Sequence, residues 1–290
     1  MILAFDIGGS RIRAALWDGT LRPLGEVPTP AHDLSAFLAA LAGFVTPGLR
    51  GMAISIAGVV DPATGIGTVA NIPAIHGLAL APALQAATGL PAMVLNDADC
   101  FALAEAQQGA GRGHATVFGV ILGTGVGGGL VINGQLLGGA GGFAGEWGHG
   151  PVIRGKHALR CGCGQMGCVD TIGGARGLER LHRIETGQEC RSEDIIAGWR
   201  AAEPQARATL ALWRELVVGP LAMVLNVVGA TVVPVGGGLS RAPGLVGYLD
   251  EALRAALLRR SAGAVAVPAV CGFDAGLLGA AMAGQAAWLS

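Results

Sequence analysis

Two apolar stretches of this chain end in glycine-rich turns, and this pattern restricts the possible folds more than any other feature. Residues 2–9 (ILAFDIGG) end in two glycines, and residues 116–122 run into the sequence GTGVGGG. Glycine permits close backbone approaches that a side chain would block, and successive N–H groups in such a turn bind phosphate. Each turn precedes a predicted hairpin. We therefore predict two successive α/β blocks, with mixed sheets and a cleft between them.

Hydrophobic periodicity predicts the remaining elements. The predicted strands are 2–9, 11–17, 21–27, 51–57, 92–95, 116–122, 231–235 and 265–270, with a short extended piece at 67–71 and a hairpin of 129–132 and 135–137 across the type I′ pair Asn133-Gly134. The predicted helices are 34–45, 80–88, 98–108, 177–186, 192–202, 205–228, 245–259 and 275–288, and 138–168 is a loop-rich insertion. We assign residues 1–112 plus 275–290 to a smaller N-terminal domain and 113–274 to a larger domain.

The composition first suggests a membrane protein, since charged residues make up only 13% of the chain and the mean hydropathy is +0.55. The best candidate span, 216–233, is interrupted by Gly219, Pro220, Asn226 and Gly229, so we interpret it as a buried helix followed by a buried strand. The first residues lack the basic region of a signal peptide. A net charge of −1 gives no support for a nucleic-acid partner. We expect a cytoplasmic protein with neither a membrane nor a nucleic-acid partner.

The first glycine turn has the chemistry of a phosphate site. In the sequence DIGGSR at 6–11, Gly8 and Gly9 allow close approach, Ser10 adds a hydroxyl donor, and Asp6 at the strand end suits a hydrated Mg²⁺. An ordinary hairpin turn explains the same residues, and the DxGG pattern alone favours that alternative.

The second glycine turn, 123–129, occupies the equivalent place in the second block. Two such turns facing each other would clamp one polyphosphate from both halves. The turn is neither a P-loop nor a Rossmann fingerprint, because no Gly-Lys-Ser/Thr follows and no helix starts there.

A carboxylate follows a strand at Asn96-Asp97-Ala98-Asp99. At a helix N-terminus opposite a phosphate clamp, Asp97 is a candidate general base. Helix capping by Asp97 is the alternative, and taken alone it accounts for the motif better.

Three cysteines and a histidine form the most specific motif. Cys161-x-Cys163-x4-Cys168, with His149 twelve residues earlier, matches a closed and therefore structural Cys₃His zinc site. Three unrelated thiols or a redox pair are the alternatives. Glu146 precedes His149 by three residues, so a metal that fixes the histidine would also position this carboxylate for a polar ligand.

Together these motifs resemble the ROK family of sugar kinases, which have the actin-like, ribonuclease-H-like ATPase fold. The resemblance covers the chain in order and rests on DIGGSR, NDADCFALAEA at 96–106, LGTGVGGGL at 122–130, GEWGH at 145–149, CGCGQMGC at 161–168 and VGGGLS at 235–240. Within the family, the bacterial N-acetylglucosamine kinases are the most similar, on the segments VPTP at 27–30 and ANIPA at 70–74 among others.

The resemblance implies an ATP-dependent kinase with Mg²⁺, a structural Zn²⁺ and a homodimer. It implies that Asp97 is the base that takes the proton from the sugar 6-hydroxyl. The implied sugar-binding residues are Gly58, Asn71, Asn96, Asp97, Glu146, His149 and Asp170. The implied ATP-binding residues are Asp6, Gly8, Gly9, Ser10, Arg11, Gly123, Thr124, Gly125, Gly127, Gly128, Gly237 and Gly238, and the implied zinc ligands are His149, Cys161, Cys163 and Cys168.

Three departures from the family pattern concern the substrate. Ser10 replaces the usual Thr, Ala57-Gly58-Val59 replaces the usual Pro-Gly, and Asp170 replaces a Glu that contacts the sugar. N-acetylglucosamine leads the substrates, with N-acetylmannosamine, glucose and fructose as alternatives. A sugar-sensing repressor of the same family would carry an N-terminal helix-turn-helix, for which the strand at Ile2 leaves no room. A noncatalytic sugar-binding protein is the last alternative.

Overall fold

The computed structural model describes residues 1–289. Its strands are β1 Ile2–Ile7, β2 Arg11–Trp17, β3 Leu21–Pro28, β4 Gly51–Ile56, β5 Val59–Val60, β6 Gly67–Thr68, β7 Ala92–Asn96, β8 Thr116–Leu122, β9 Val126–Ile132, β10 Gln135–Leu136, β11 Val233–Gly236 and β12 Ala266–Pro268. Its α-helices are α1 Leu34–Ala42, α2 Leu80–Thr88, α3 Asp97–Gln107, α4 Asp170–Gly173, α5 Ala175–Thr186, α6 Ser192–Arg200, α7 Pro204–Val228, α8 Leu245–Ala256 and α9 Ala275–Trp288.

Two mixed sheets of five strands organise the chain, as the sequence predicts. The first has the order β3-β2-β1-β4-β7 and the second β10-β9-β8-β11-β12. In each sheet a central strand pairs antiparallel with the next strand of the chain and parallel with a later one: β1 with β2 and β4, and β8 with β9 and β11. The two glycine turns therefore join equivalent strands of the two sheets.

Helices α3 and α9 lie between the sheets. Helix α9 packs against β1 and β4 of the first sheet, α3 packs against β8 and β9 of the second, and the two helices pack against each other. A shared core of small and apolar side chains, including Ala53, Ala102 and Ala280, fills this layer. The outer face of the first sheet is covered by α1 and α2, and that of the second by the helices from α5 to α8.

The apolar segment near residue 220 is a core helix followed by a strand, as predicted. Helix α7 is long and apolar enough to cross a membrane by length and composition alone. Its Trp213, Val217 and Leu221 are completely buried in the core of the second half. Packing in this core accounts for the apolar residues on the buried face of the helix.

The second glycine turn is shorter than predicted. Strand β9 begins at Val126, so Gly127 and Gly128 lie within the strand, and the turn consists of residues 123–125. The reason is packing, because a Cβ on Gly128 would lie 2.6 Å from the Trp147 ring and one on Gly129 would lie 2.8 Å from the Ala102 Cβ. The hairpin that follows does turn at Asn133 and Gly134, both with the positive φ of a type I′ turn.

We expect Gly129→Ala to lower the free energy of unfolding by about 1–3 kcal/mol, because the added methyl group pushes α3 away from the second sheet. The control is Gly219→Ala in α7, where the added methyl group meets nothing within 4 Å. Helix propensity predicts that the control gains roughly 0.8 kcal/mol. Urea unfolding of both variants measures the two effects, and equal stabilities would contradict the packing explanation.

Candidate active site

A cavity of about 440 Å³ opens between the two sheets, where β1, the start of α3 and the glycines after β11 meet. Asp6, Asp97, Gly237 and Gly238, four residues that the sequence analysis singled out, line it together. Gly237 has a φ of +91°, and a Cβ there would lie 2.4 Å from the backbone of Leu122. Only glycine can therefore bring the turn after β11 against the end of β8.

The first glycine turn, which follows β1, is held by hydrogen bonds. The Gly8 N–H donates to the Arg11 carbonyl at 2.9 Å, and the Thr29 hydroxyl donates to the Gly8 carbonyl at 2.7 Å. A Cβ on Gly9 would lie 3.1 Å from the Cβ of Asn71. The predicted phosphate turn and the predicted sugar segment are thus in contact.

Asp6 forms an ion pair that the sequence analysis missed. Its Oδ2 accepts a hydrogen bond from Arg13 at 2.7 Å, and its Oδ1 accepts one from the buried Ser55 hydroxyl at 3.0 Å. Arg13 also donates to the Phe273 carbonyl at 2.5 Å. The cross-strand register pairs Asp6 directly with Arg13, so the hairpin prediction contained the signal that places this arginine in the cleft.

Of the predicted ATP-binding residues, only Asp6, Gly237 and Gly238 line this cavity, and the side chains of Arg11 and Thr124 lie elsewhere. The Arg11 guanidinium is exposed and pairs with Glu26, so this arginine is not brought into the cavity. Thr124 lines a second cavity of about 730 Å³, formed with α5 residues such as Arg176 and Arg180. The turn at 123–125 is tied to the start of α5, because the Ala175 N–H donates to the Gly123 carbonyl at 2.8 Å.

Asn96, rather than Asp97, caps helix α3. The Asn96 side-chain oxygen accepts hydrogen bonds from the N–H groups of Ala98 and Asp99, at 2.7 and 3.2 Å. Its amide nitrogen donates to the Gly58 carbonyl at 2.9 Å. Asp97 is the first residue of the helix; its carboxylate accepts a further hydrogen bond from the Ala98 N–H at 2.9 Å, and the residue lines the cavity.

Several carboxylates crowd this end of α3. Burial raises the pKa of Asp97 to about 6, against a hydrogen bond from the Ala98 N–H that lowers it. The negative charges of Asp6 and Glu146 contribute to the same rise. Burial likewise raises the pKa of Asp99 to about 7 and that of Glu146 above its ordinary value. A carboxylate with a pKa near 6 is still ionised at neutral pH and is basic enough to take a proton.

Asp99 is a second residue that the sequence analysis left without a role. It is only 7% exposed, and its Oδ1 has no hydrogen-bond partner among residues 1–289. A buried and unpaired carboxylate is costly when ionised. The negative charge of Asp97 also raises the pKa of Asp99, so the two carboxylates repel each other when both are ionised.

The four predicted metal ligands come together. The imidazole Nδ1 of His149 lies 3.6 Å from the Cys161 sulfur, the Cys163 and Cys168 sulfurs are 3.6 Å apart, and all four donor atoms fall within 4.8 Å of one another. A tetrahedral zinc with bonds of about 2.0–2.3 Å places its ligand atoms roughly 3.5–3.8 Å apart. The donor set and its spacing therefore fit a structural zinc ion.

The backbone around these cysteines is shaped for the cluster. Gly164 and Gly167 have φ angles of +91° and +79°, and a Cβ on Gly167 would lie 2.3 Å from the Ile153 carbonyl. The Gly150 N–H donates a hydrogen bond to the Cys168 sulfur at 3.4 Å, which fixes that sulfur within the cluster.

The cluster also orients the predicted sugar-binding residues. With Nδ1 of His149 facing the cysteines, its Nε2 lies 3.6 Å from the Glu146 carboxylate. The Asp170 carboxylate faces inward instead, accepting a hydrogen bond from the Val126 N–H at 2.8 Å. This carboxylate links the start of β9 to the cysteine loop, since its other oxygen accepts a hydrogen bond from the Cys161 thiol at 3.8 Å.

The comparisons with known proteins cover almost the whole chain. The model of the ROK family matches residues 2–286. An N-acetyl-D-glucosamine kinase of Salmonella typhimurium is 36% identical over 274 residues, which are 89% of this chain and 90% of that protein. The crystal structure of a ROK hexokinase from Thermus thermophilus is 31% identical, with a TM-score of 0.84 and coverage of 97% of this chain and 96% of the other. A ROK glucokinase from Streptomyces griseus, solved with glucose and AMPPNP, has 28% identity, a TM-score of 0.76 and coverage of 97% and 98%.

We expect one zinc ion per chain in freshly purified protein, measured by plasma mass spectrometry. Cys163→Ser removes one of four ligands, so both the zinc content and the thermal unfolding midpoint should fall. The control is Cys190→Ser, since Cys190 is a free thiol outside the cluster. Wild-type protein without zinc, or a Cys163→Ser variant as stable and zinc-loaded as the control, would contradict the assignment.

The raised pKa of Asp97 predicts a pH-dependent gain of stability in Asp97→Asn. The folded protein holds the Asp97 proton up to about pH 6, whereas the ordinary value is 3.8. The folded state therefore loses stability relative to the unfolded state as the pH rises through this window. Asparagine keeps the side-chain oxygen but cannot ionise. Denaturant unfolding should show the variant gaining on wild type from pH 4 to pH 8, and a difference independent of pH would contradict the raised pKa.

Proposed function

The chain belongs to the ROK family and is an ATP-dependent sugar kinase with the actin-like ATPase fold, and we propose that its acceptor is N-acetyl-D-glucosamine. The observation that carries the proposal is the match to curated N-acetyl-D-glucosamine kinases at 36% identity across 89% of the chain. The product is N-acetyl-D-glucosamine 6-phosphate.

Asp97 is the general base of the proposed reaction. It takes the proton of the sugar 6-hydroxyl, the sugar oxygen bonds to the γ-phosphorus of ATP, and the bond from that phosphorus to the β–γ bridging oxygen breaks to release ADP. Its position in the cavity with Asp6 and Gly237 supports this role, as does a pKa of about 6. Phosphoryl transfer depends on positioning and charge neutralisation rather than on covalent catalysis. One general base is therefore the only side chain that has to take part in proton transfer.

ATP is held by the glycine turns in this proposal. Gly8, Gly9 and Ser10 contact the phosphates from the first sheet, and the turn at 123–125 contacts them from the second. Gly237 and Gly238 lie along the adenosine. Asp6 would hold the Mg²⁺ that neutralises the phosphate charge, and its carboxylate is of the type this ion prefers.

The sugar is bound by the loop that the zinc cluster stiffens. Glu146 and His149 contact its hydroxyls from one side, while Gly58, Asn71 and Asn96 contact it from the other. The hydrogen bond from Asn96 to the Gly58 carbonyl supports this arrangement, because it joins the cap of the base-bearing helix to the sugar loop. Zinc serves structure only, since four protein ligands leave no open position.

Domain closure excludes water from the reaction. We place residues 1–112 with 275–290 in one domain and 113–274 in the other, and the packing of α9 on the first sheet supports the return of the chain to the first domain. Closure over the sugar would suppress hydrolysis of ATP.

We further propose a cytoplasmic homodimer. The reduced thiols of the cluster support that compartment, and the exposed Met223, Val227 and Leu258 offer an apolar surface for a second copy.

The decisive experiment is a panel of acceptors at one ATP concentration, with ADP release coupled to NADH oxidation. N-acetylglucosamine should give the highest kcat/KM, above N-acetylmannosamine, glucose, mannose and fructose. Phosphorus NMR of the product should show phosphate on the 6-hydroxyl. A preference for glucose over N-acetylglucosamine would refute the proposed acceptor, and no acceptor-dependent ADP release would refute the kinase.

A further inference from the structure

One buried carboxylate binds both segments of chain that join the second sheet to helices α3 and α9. Glu105 of α3 is completely buried, and its Oε2 accepts a hydrogen bond from the Ala110 N–H at 2.8 Å. Its Oε1 accepts hydrogen bonds from the N–H groups of Val270 and Cys271, at 2.9 and 2.7 Å. Ala110 lies between α3 and β8, and residues 270–271 lie between β12 and α9.

The backbone of Glu105 reinforces the same junction. Its carbonyl accepts hydrogen bonds from the N–H groups of Gly109 and Gly111, at 3.1 and 2.9 Å. A Cβ on Gly109 would lie 2.1 Å from the Glu105 Oε2. The chain therefore closes tightly around this carboxylate.

Glu105 shares a helix face with the base. Asp97, Phe101 and Glu105 are four residues apart, and side chains at this spacing lie along one side of an α-helix. Asp97 and Phe101 both line the nucleotide cavity, whereas Glu105 lies one turn behind it. The face spans about 12 Å from the base to Glu105 at the usual helical rise.

The segment that Glu105 holds forms a wall of that cavity. Residues on both sides of 270–271 line it, namely Ala269, Gly272, Phe273, Ala275 and Gly276. Phe101, Ala104 and Ala275 form a small core directly behind this wall, joined by the partly buried Ala269 and Cys271. The hydrogen bonds to Glu105 therefore tie this wall to the helix that carries Asp97, and the hydrogen bond from Arg13 to the Phe273 carbonyl ties it to β2.

We infer that Glu105 is a positioning residue for the nucleotide, acting through the backbone of residues 269–276. It does not touch ATP; it holds the cavity wall at a fixed distance from the helix that carries the base. The inference rests on the proposed function in one respect, that this cavity receives ATP. It predicts weaker nucleotide binding when the carboxylate is lost, with sugar binding unchanged, because none of the proposed sugar residues lies in the segment 269–276.

The test compares two substitutions of Glu105 in the full-length protein. Calorimetric titration with AMPPNP and Mg²⁺ should show binding about tenfold weaker in Glu105→Ala and roughly threefold weaker in Glu105→Gln, since the amide retains one acceptor oxygen. The KM for ATP should rise in the same order, while the KM for the sugar stays within about twofold. If Glu105→Ala does not fold, Glu105→Gln is compared with Gly109→Ala. The methyl group added at residue 109 would displace the Glu105 carboxylate, so AMPPNP should also bind this variant more weakly than wild type.

Asp250 provides a matched control. It is also a buried carboxylate, and its Oδ1 accepts hydrogen bonds from the N–H groups of Val265 and Ala266 at 2.7 and 2.9 Å, at the opposite end of β12 from the cavity. Asp250→Ala should lose stability as Glu105→Ala does, yet bind AMPPNP like wild type.

AMPPNP affinity within twofold of wild type in the Glu105 variants, or an equal loss in Asp250→Ala, would overturn the inference. AMPPNP binding is measured without sugar, so the result is independent of which sugar is phosphorylated. A wild-type protein that binds AMPPNP but phosphorylates no sugar would refute the proposed function and leave this inference standing. A wild-type protein that binds no AMPPNP would overturn both.

Discussion

The close packing of α3 on α9 is the contact on which the rest of the structure depends. A Cβ on Gly279 of α9 would lie 1.9 Å from the Cys100 carbonyl of α3, so only glycine allows the two helices to approach this far. The same layer uses Gly119 and Gly129 where α3 meets the second sheet. These glycines bring the two sheets close enough for Asp6 and Arg13 of the first sheet and the turn after β11 of the second to border one cavity.

The candidate active site is assembled at a cost in stability. Asp97, Asp99, Asp6 and Glu146 crowd one end of α3, and burial together with mutual repulsion raises the pKa of Asp97 and Asp99. Strained and charged sites of this kind are retained for function and offset elsewhere in the fold. Here the offset comes from the apolar cores behind each sheet. The metal cluster adds a local constraint, because His149 is held by its neighbours and in turn faces Glu146.

Local patterns predicted more of this fold than of its site. The two-sheet architecture, the type I′ hairpin and the four clustered ligands followed from apolar runs, turn residues and cysteine spacing, all of which are short-range signals. The extent of β9 did not, because a run of glycines reads as a turn until the helix packed against it is known. The capping by Asn96 did not follow from local patterns either, because Asn96 and Asp97 are adjacent residues that can both cap the same helix end. The hydrogen bonds of Arg13 to the Phe273 carbonyl and of Glu105 to the Val270 N–H join residues distant in the chain. The burial of the Asp99 Oδ1 without a partner among residues 1–289 likewise depends on the tertiary structure.

The central claim is that Asp97 removes a proton from a sugar bound beside it. It is tested most directly by measuring kcat and sugar affinity together in Asp97→Asn, with the affinity taken from calorimetry. A general base contributes about 10²- to 10⁴-fold to the rate, so kcat should fall by that amount while the sugar dissociation constant changes by no more than a few-fold. Near-normal turnover would contradict the account. So would a loss of sugar binding large enough to explain the loss of activity.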